Sequence, residues 1–226
     1  ETRLNEAGSF LMEIKSRYPD SDEIQRCTAL YQEIKGSYDI YFGNYADGRY
    51  AVEQALKYAN TKQHAEMKMC CLLQLSFIGI QTEESALICQ SAKKLCSFAC
   101  ENNSGLFIAV ALRFLGVYMQ IEGKDELAEK LFFKSIDHLE RLAKTGERYT
   151  LNILAAKNYI GEIYHRRGHL EEAMDYFEYC LSKCFDMNLF WGRALFHSNA
   201  AYVALSLKKF TLAESHVDEA IRLFET

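Results

Sequence analysis

A pattern of small and apolar residues recurs five times along this 226-residue chain. Its anchor positions follow one another at steps of 40, 40, 45 and 40 residues, at Gly48, Ile88, Ala128, Ala173 and Ala213. Repeated units of this kind bury their apolar faces only against neighbouring units. The recurrence therefore predicts an array of similar units, and it argues against an enzyme built around one central site.

The fourth unit shows the pattern most completely, in the segment NYIGEIYHRRGHLEEAMDYFEYCL. Its defining positions are Ile160, Gly161, Tyr164, Gly168, Ala173, Phe177 and Cys180. The third unit repeats them as Leu115, Gly116, Met119, Gly123, Ala128, Phe132 and Ser135. The fifth has Ala200, Ala201, Ala204, Ala213, Val217 and Ala220, with Lys209 at the turn where the others have Gly. The first two units match less well, with Gly36, Gly43, Tyr45, Gly48, Val52 and Ala55, then Ser76, Gly79, Ile88, Ala92 and Leu95.

This pattern resembles the tetratricopeptide repeat (TPR) family over about residues 22–224. The resemblance implies an all-α fold, a right-handed α-solenoid of antiparallel helix pairs forming a TPR-like superhelix. We expect one domain over residues 1–226, with 1–19 as a helix of a preceding unit or a cap. The expected repeats cover 22–60, 63–100, 104–143, 149–185 and 189–226, and the expected linkers are 59–63, 101–105, 143–149 and 186–188.

Close packing of the two helices in each pair explains the small residues. Gly161 and Gly116 would leave room for the faces that carry Ala173 and Ala128, so a larger residue at Gly161 should overpack the pair by roughly 1–3 kcal/mol. The single proline, Pro19, precedes a helix that Asp20 or Ser21 can cap.

Composition excludes several classes of function. A net charge of −5 disfavours direct nucleic-acid binding, which calls for a basic face. No stretch of 18 residues is apolar and free of charge, so we expect no membrane span. Eight cysteines without a Cys-x-x-Cys motif indicate reduced thiols and a cytoplasmic location. The chain begins at Glu1 without a Met, which suggests a piece of a longer protein.

Metal and catalytic sites have weak sequence support. Cysteines four residues apart, at 96/100 and 180/184, could share a helix face and bind zinc, although Cys180 lies where the repeat needs a small core residue. His165 and His169 either bind a metal or face water beside Gly168. No nucleophile motif or phosphate-binding loop occurs, so we expect no cofactor and no enzymatic activity.

The resemblance implies a binding groove lined by the first helix of each pair. Carried over by register, its residues are Glu33, Ser37, Tyr41, Leu73, Phe77, Gln81, Arg113, Val117, Gln120, Asn158, Glu162, Arg166, Ser198, Tyr202 and Leu205. Such a surface suits an extended peptide or a partner helix, with Asn158 and Arg113 bonding a backbone or a carboxylate. Phe77 and Tyr202 either add apolar area to the groove or pack between units.

Three functions remain open at this point. The first is the sensor or scaffold array of a bacterial signal-responsive regulator, suggested by the long repeat period and the cysteine usage. The second is a peptide-pheromone receptor, and the third is an enzyme, which lacks a convergent nucleophile and base. A basic clamp for a C-terminal carboxylate is absent, because Glu33 and Leu73 occupy its positions. The last helix, with Val217, Ile221 and Phe224 uncovered, is either a cut edge or a homodimer contact.

Overall fold

A computed structural model describes residues 2–19, 21–144, 149–187, 189 and 192–225. These residues form eleven α-helices and no β-strand. The helices are α1 (Thr2–Arg17), α2 (Asp22–Tyr41), α3 (Tyr45–Thr61), α4 (Ala65–Gln81), α5 (Ser85–Glu101), α6 (Gly105–Ile121), α7 (Asp125–Ala143), α8 (Thr150–Arg166), α9 (Leu170–Asp186), α10 (Arg193–Ser206) and α11 (Phe210–Phe224).

Consecutive helices pack against each other across short turns, as in α2 with α3, α4 with α5, α8 with α9 and α10 with α11. Two helices that follow each other through so short a turn run antiparallel. The predicted all-α fold of stacked helix pairs, an α-solenoid, is confirmed. The chain divides into two compact units, Glu1–Tyr118 and Met119–Thr226, which we describe separately.

A residue in the left-handed backbone region ends the first helix of each pair. Gly43, Gly123 and Gly168 take this conformation with φ between 70° and 81°. In the fifth pair the residue is Lys208, with φ 59°, so the prediction that Lys209 occupies the glycine position was wrong by one residue. Lys209 instead begins α11 as its N-cap, because the 40-residue step from Gly168 leads to 208.

The N-terminus of α2 has the predicted cap. Ser21 Oγ accepts a hydrogen bond from the backbone N–H of Ile24 at 3.5 Å. The other predicted cap, Asp20, lies outside the described residues, as do parts of two predicted linkers, residues 145–148 and 188.

Two glycines set the distance between α2 and α3 in the first unit. A Cβ added to Gly36 would lie 2.6 Å from Val52 Cγ2 and 3.2 Å from the carbonyl oxygen of Gly48. A Cβ added to Gly48 would lie 2.9 Å from Ile40 Cγ1 and 3.2 Å from the carbonyl oxygen of Gly36. The two backbones therefore touch at this crossing, and Val52 and Ile40 fill the space on either side.

The second unit contains an equivalent close contact between α8 and α9. A Cβ on Gly161 would meet the Phe177 ring at 2.8 Å and Tyr176 Cβ at 3.2 Å. The small residue at 161 thus makes room for an aromatic ring, where the sequence had indicated the Ala173 face. Ala173 is fully buried in the cluster that joins α9 to α10, together with Ala200 and Val203.

Candidate binding surfaces on the first helices

In the first unit, the predicted groove residues of α2 are mostly held by α4. Ser37 Oγ accepts a hydrogen bond from Gln74 Nε2 at 2.7 Å. Glu33 is half-buried, and burial, followed by the nearby Glu66 carboxylate, raises its pKa, while a hydrogen bond with Cys70 lowers it. Tyr41 is exposed. Of these predicted residues, Tyr41 is therefore the most accessible to a ligand.

The apolar groove residues predicted on α4 serve the core of the first unit. Leu73 and Phe77 pack against a buried cluster that contains Ile88 and Phe114. Gln81 Oε1 lies at the end of α4 and accepts a hydrogen bond from Tyr45 Oη at 3.2 Å. For Phe77, the alternative of packing between helices is the one that the structure contains.

On α6, the two predicted residues of the first unit differ in role. The Arg113 guanidinium lies over the ring of Phe114, 4.6 Å from its centroid. Val117 is buried. Val117 therefore contributes to packing and offers no surface to a ligand.

In the second unit, the polar residues predicted on the first helices meet in one cluster around Glu162. Glu162 Oε1 accepts from Asn158 Nδ2 at 2.7 Å, and Oε2 accepts from Gln120 Nε2 at 3.2 Å. Asn199 Nδ2 donates to Asn158 Oδ1 at 2.8 Å and approaches Glu162 Oε1 at 3.4 Å. We call Gln120, Asn158, Glu162 and Asn199 the amide–carboxylate cluster. It connects α6, α8 and α10 within this unit.

The charge of the amide–carboxylate cluster is only partly compensated. Desolvation by burial raises the pKa of Glu162, and the hydrogen bonds from Gln120 and Asn158 and the charge of Arg166 oppose that rise. Arg166 is exposed and donates to Asp125 Oδ1 at 2.6 Å. Gln120 Oε1 is buried without a hydrogen-bond partner among the described residues. An acceptor thus stays unsatisfied beside a half-buried carboxylate.

Asn158 itself is too deeply placed to reach a ligand directly. Its exposure is 3%, and its amide nitrogen and oxygen are both bonded within the cluster. Sequence reasoning missed Asn199, which lies 41 residues after Asn158 and so at nearly the same register. A search for amide residues recurring with the repeat period could have found it.

The predicted residues of α10 line an open apolar groove. Ser198, Tyr202 and Leu205 form one wall, and Val217, Ile221 and Phe224 of α11 form most of the other. Its volume is about 520 Å³. Tyr202 and Leu205 are exposed, so for Tyr202 the structure contains the accessible alternative and not packing between helices. We call this surface the α10–α11 groove.

Metal-binding and membrane-spanning features are not found in the part of the chain that the structure describes. No three His, Cys, Asp or Glu side chains there converge as a metal site would require. His165 Nε2 lies 2.9 Å from Ser206 Oγ, and His169 Nδ1 lies 3.5 Å from the Glu172 carboxylate. No described helix is both long enough and apolar enough to cross a bilayer.

Comparison with known proteins supports the fold and adds no activity. No protein-family model matches this chain, and no curated protein matches it. The crystal structure of BtubC (BKLC) from P. vanneervenii has a similar fold, with a TM-score of 0.68 and 16% sequence identity. The match covers 100% of this chain and 91% of that chain. At this identity the likeness concerns the fold alone.

Proposed function

We propose that this chain is a non-enzymatic array of TPR-like helix pairs that binds a protein or a peptide. The observation that carries the proposal is the α10–α11 groove, where Ser198, Tyr202 and Leu205 of a predicted binding helix border about 520 Å³ of open apolar space. Concave apolar surfaces with a few polar groups at the edge are the usual form of a ligand site. A monomer gains nothing by leaving such a surface in water.

Recognition would combine apolar burial in the groove with polar contacts on the neighbouring helix. Ser198 lies next to Asn199, so the groove borders the amide–carboxylate cluster. Arg166, exposed at the end of α8, can bond a carboxylate or a backbone carbonyl of the ligand. The half-buried Glu162 would favour a ligand that brings hydrogen-bond donors.

We further propose that the chain is the sensor or scaffold segment of a larger bacterial signalling or transcription regulator in the cytoplasm. The repeat period near 40 residues and the abundance of reduced cysteines support this role. The alternative is a peptide-pheromone receptor that holds a short secreted peptide in the same groove. Both roles need a peptide-accepting surface, and they differ in the origin of the ligand.

Binding is tested by titrating the protein, labelled with ¹⁵N, with pools of short unstructured peptides and, separately, with pools of small metabolites. We expect shifts of amide signals on α8 and α10 with peptides. Tyr202→Ala should weaken the binding by about tenfold, because aromatic side chains dominate such contacts. Saturation with metabolites and no response to any peptide pool would refute the proposal.

The matched control is Tyr50→Ala on α3, outside the predicted surface. Tyr50 is 65% exposed and Tyr202 is 62% exposed, so both substitutions remove a similar area from the solvent-facing surface. We expect Tyr50→Ala to leave peptide affinity unchanged. Equal losses in the two variants would mean that the peptide does not bind at α10.

A further inference from the structure

We infer that the ligand of the α10–α11 groove is an amphipathic α-helix of another polypeptide, running antiparallel to α11 and carrying a basic side chain beside its apolar stripe. This inference rests on the proposed binding function and specifies its partner. The evidence is the way in which the preceding pair, α8 and α9, holds a helix in the equivalent groove.

The groove walls correspond to residues that already seat a helix 40 positions earlier. Val217 and Ala220 correspond by register to Phe177 and Cys180, which are buried under α10. Ser198 and Leu205 correspond to Asn158 and His165, which bond Asn199 and Ser206 of α10. The α10–α11 groove therefore repeats a helix seat that is filled in the preceding pair and open here.

The seated helix, α10, shows what the occupant must look like. Its residues in contact with the seat are Phe196, Ala200, Val203, Ala204 and Leu207. They follow the spacing i, i+4, i+7, i+8 and i+11, which forms one apolar stripe on a helix. An extended strand cannot present this spacing on one side, because its side chains alternate. The seat is therefore shaped for a helix.

The charge of the groove differs from that of its template. Glu214 lines the groove at the position that corresponds to Met174, and it is the one charged side chain among the described residues that line it. Asp218 follows one turn later, and neither carboxylate forms an ion pair with another described side chain. A Lys or Arg flanking the apolar stripe of the partner would meet this carboxylate. A second copy offering α11 in return would bring a second Glu214 and a second Asp218.

The chain supplies its own probe for this inference, a synthetic peptide with the sequence of residues 193–207. Calorimetry should detect one-to-one binding with a dissociation constant of roughly 10–500 µM, weakened by the cost of ordering a short helix. A peptide with Ala204→Lys places an ammonium on the flank opposite Asn199 and Ser206. It should bind about threefold more tightly, and Glu214→Gln should abolish that gain.

Substitutions on the exposed face of α11 locate the site. The double variant Val217→Asp, Ile221→Asp should weaken peptide binding at least about tenfold. Phe133→Asp is the matched control, because Phe133 is 45% exposed and Val217 is 44% exposed. Circular dichroism and thermal melting establish that each variant is folded. Equal binding to the double variant and to the wild-type protein would overturn the inference.

A proline version of the probe separates this inference from the proposed function. Ala200→Pro prevents the peptide from forming a helix, so it should not bind. If it binds as well as the parent peptide, or if only unstructured peptides bind, the helix inference is overturned and peptide binding stands. If the protein dimerises in sedimentation and the α11 double variant is monomeric, a second copy fills the groove and the inference is also overturned.

Discussion

His197 Nδ1 lies 2.9 Å from His216 Nδ1, so a hydrogen bond between two imidazoles joins α10 to α11. One ring must donate its Nδ1 proton and the other must accept it. His216 Nε2 is buried without a hydrogen-bond partner among the described residues. The pair borders a surface cavity of about 890 Å³ that also contains Arg193, Glu219 and Arg222. When both rings are protonated at Nδ1, this bond cannot form.

We predict that acid weakens the attachment of α11 through this histidine pair. Burial lowers the pKa of both rings below 6.5; Arg193, Arg222 and the partner ring lower that of His197 further, while Glu219 on α11 and Glu178 on α9 act in the opposite direction. The unfolded chain therefore binds more protons as pH falls below 6.5. Stability contributed by the neutral pair is present above that pH and is lost below it.

Urea unfolding measured from pH 8 to pH 5 tests this prediction. His216→Gln should lose stability at pH 8, because it removes the bond, and should show a shallower decline below pH 6.5. His138→Gln on α7 is the control and should keep the decline. An unchanged pH profile in the His216 variant would show that the pair does not couple protonation to folding.

Gly36→Ala should destabilise the first unit. The new methyl group would lie 2.6 Å from Val52 Cγ2 and 3.2 Å from a backbone oxygen, so side chain and backbone must both move. We expect a loss of about 1–3 kcal/mol by urea unfolding, despite the better helix propensity of alanine. Arg26→Ala, on an exposed position of the same helix, should change stability by less than about 0.5 kcal/mol. A gain in stability at Gly36 would contradict the close helix crossing.

Lys208→Gly should stabilise the second unit. Lys208 is held at φ 59°, a conformation that costs an L-residue roughly 1–2 kcal/mol and glycine almost nothing. The greater entropy of glycine in the unfolded chain offsets part of the gain, so we expect a net increase of about 0.5–1 kcal/mol in thermal or urea melts. Lys209→Gly, at the adjacent N-cap, should not stabilise. A larger gain at 209 than at 208 would mean that the turn is placed one residue away.

Glu162→Gln should stabilise the protein at neutral pH. Burial raises the pKa of Glu162 above its ordinary 4.5, so the stability of the protonated form is full below that pH and is lost as pH rises through the raised pKa. A neutral amide avoids that loss, and its nitrogen can donate to Gln120 Oε1, which lacks a partner. The gain at pH 7 should be up to about 1 kcal/mol. Glu140→Gln, exposed on α7, should have no effect, and destabilisation by Glu162→Gln would show that the charge is needed.

Thiol labelling should separate the cysteines into two groups. Burial raises the pKa of Cys70 to about 11 and that of Cys71 and Cys180 to about 12, so these thiols stay protonated at pH 8. Cys27 and Cys100 are exposed. Mass spectrometry after brief alkylation should find label at 27 and 100 first, and at the buried positions only after denaturation. Early labelling of Cys180 would contradict its place in the core.

The repeat pattern predicted the helix pairs and most of their turns. Glycine at 43, 123 and 168 marks the ends of first helices because only glycine adopts the left-handed conformation without strain. The same turn contains Glu83 and Lys208 in the second and fifth pairs, where the residue type does not indicate it. Neighbouring repeats impose the turn there, which is why the sequence placed it one residue late in the fifth pair.

The candidate site divides in the same way. Register alone placed Asn158, Glu162, Ser198 and Tyr202 on first helices. It could not tell that Asn158 would be consumed by Glu162 and Asn199 while Tyr202 stays open, because both positions have the same period.

The chain by itself determined that small residues recur every 40 or so positions and that paired helices must result, because periodic spacing acts through local geometry. Only the tertiary structure decided which side chains meet. His197 with His216, Gln120 with Glu162 and Gly161 with Phe177 are separated by 16 to 42 residues. Such contacts depend on how one helix rotates against the next, and packing volumes across the interface set that rotation.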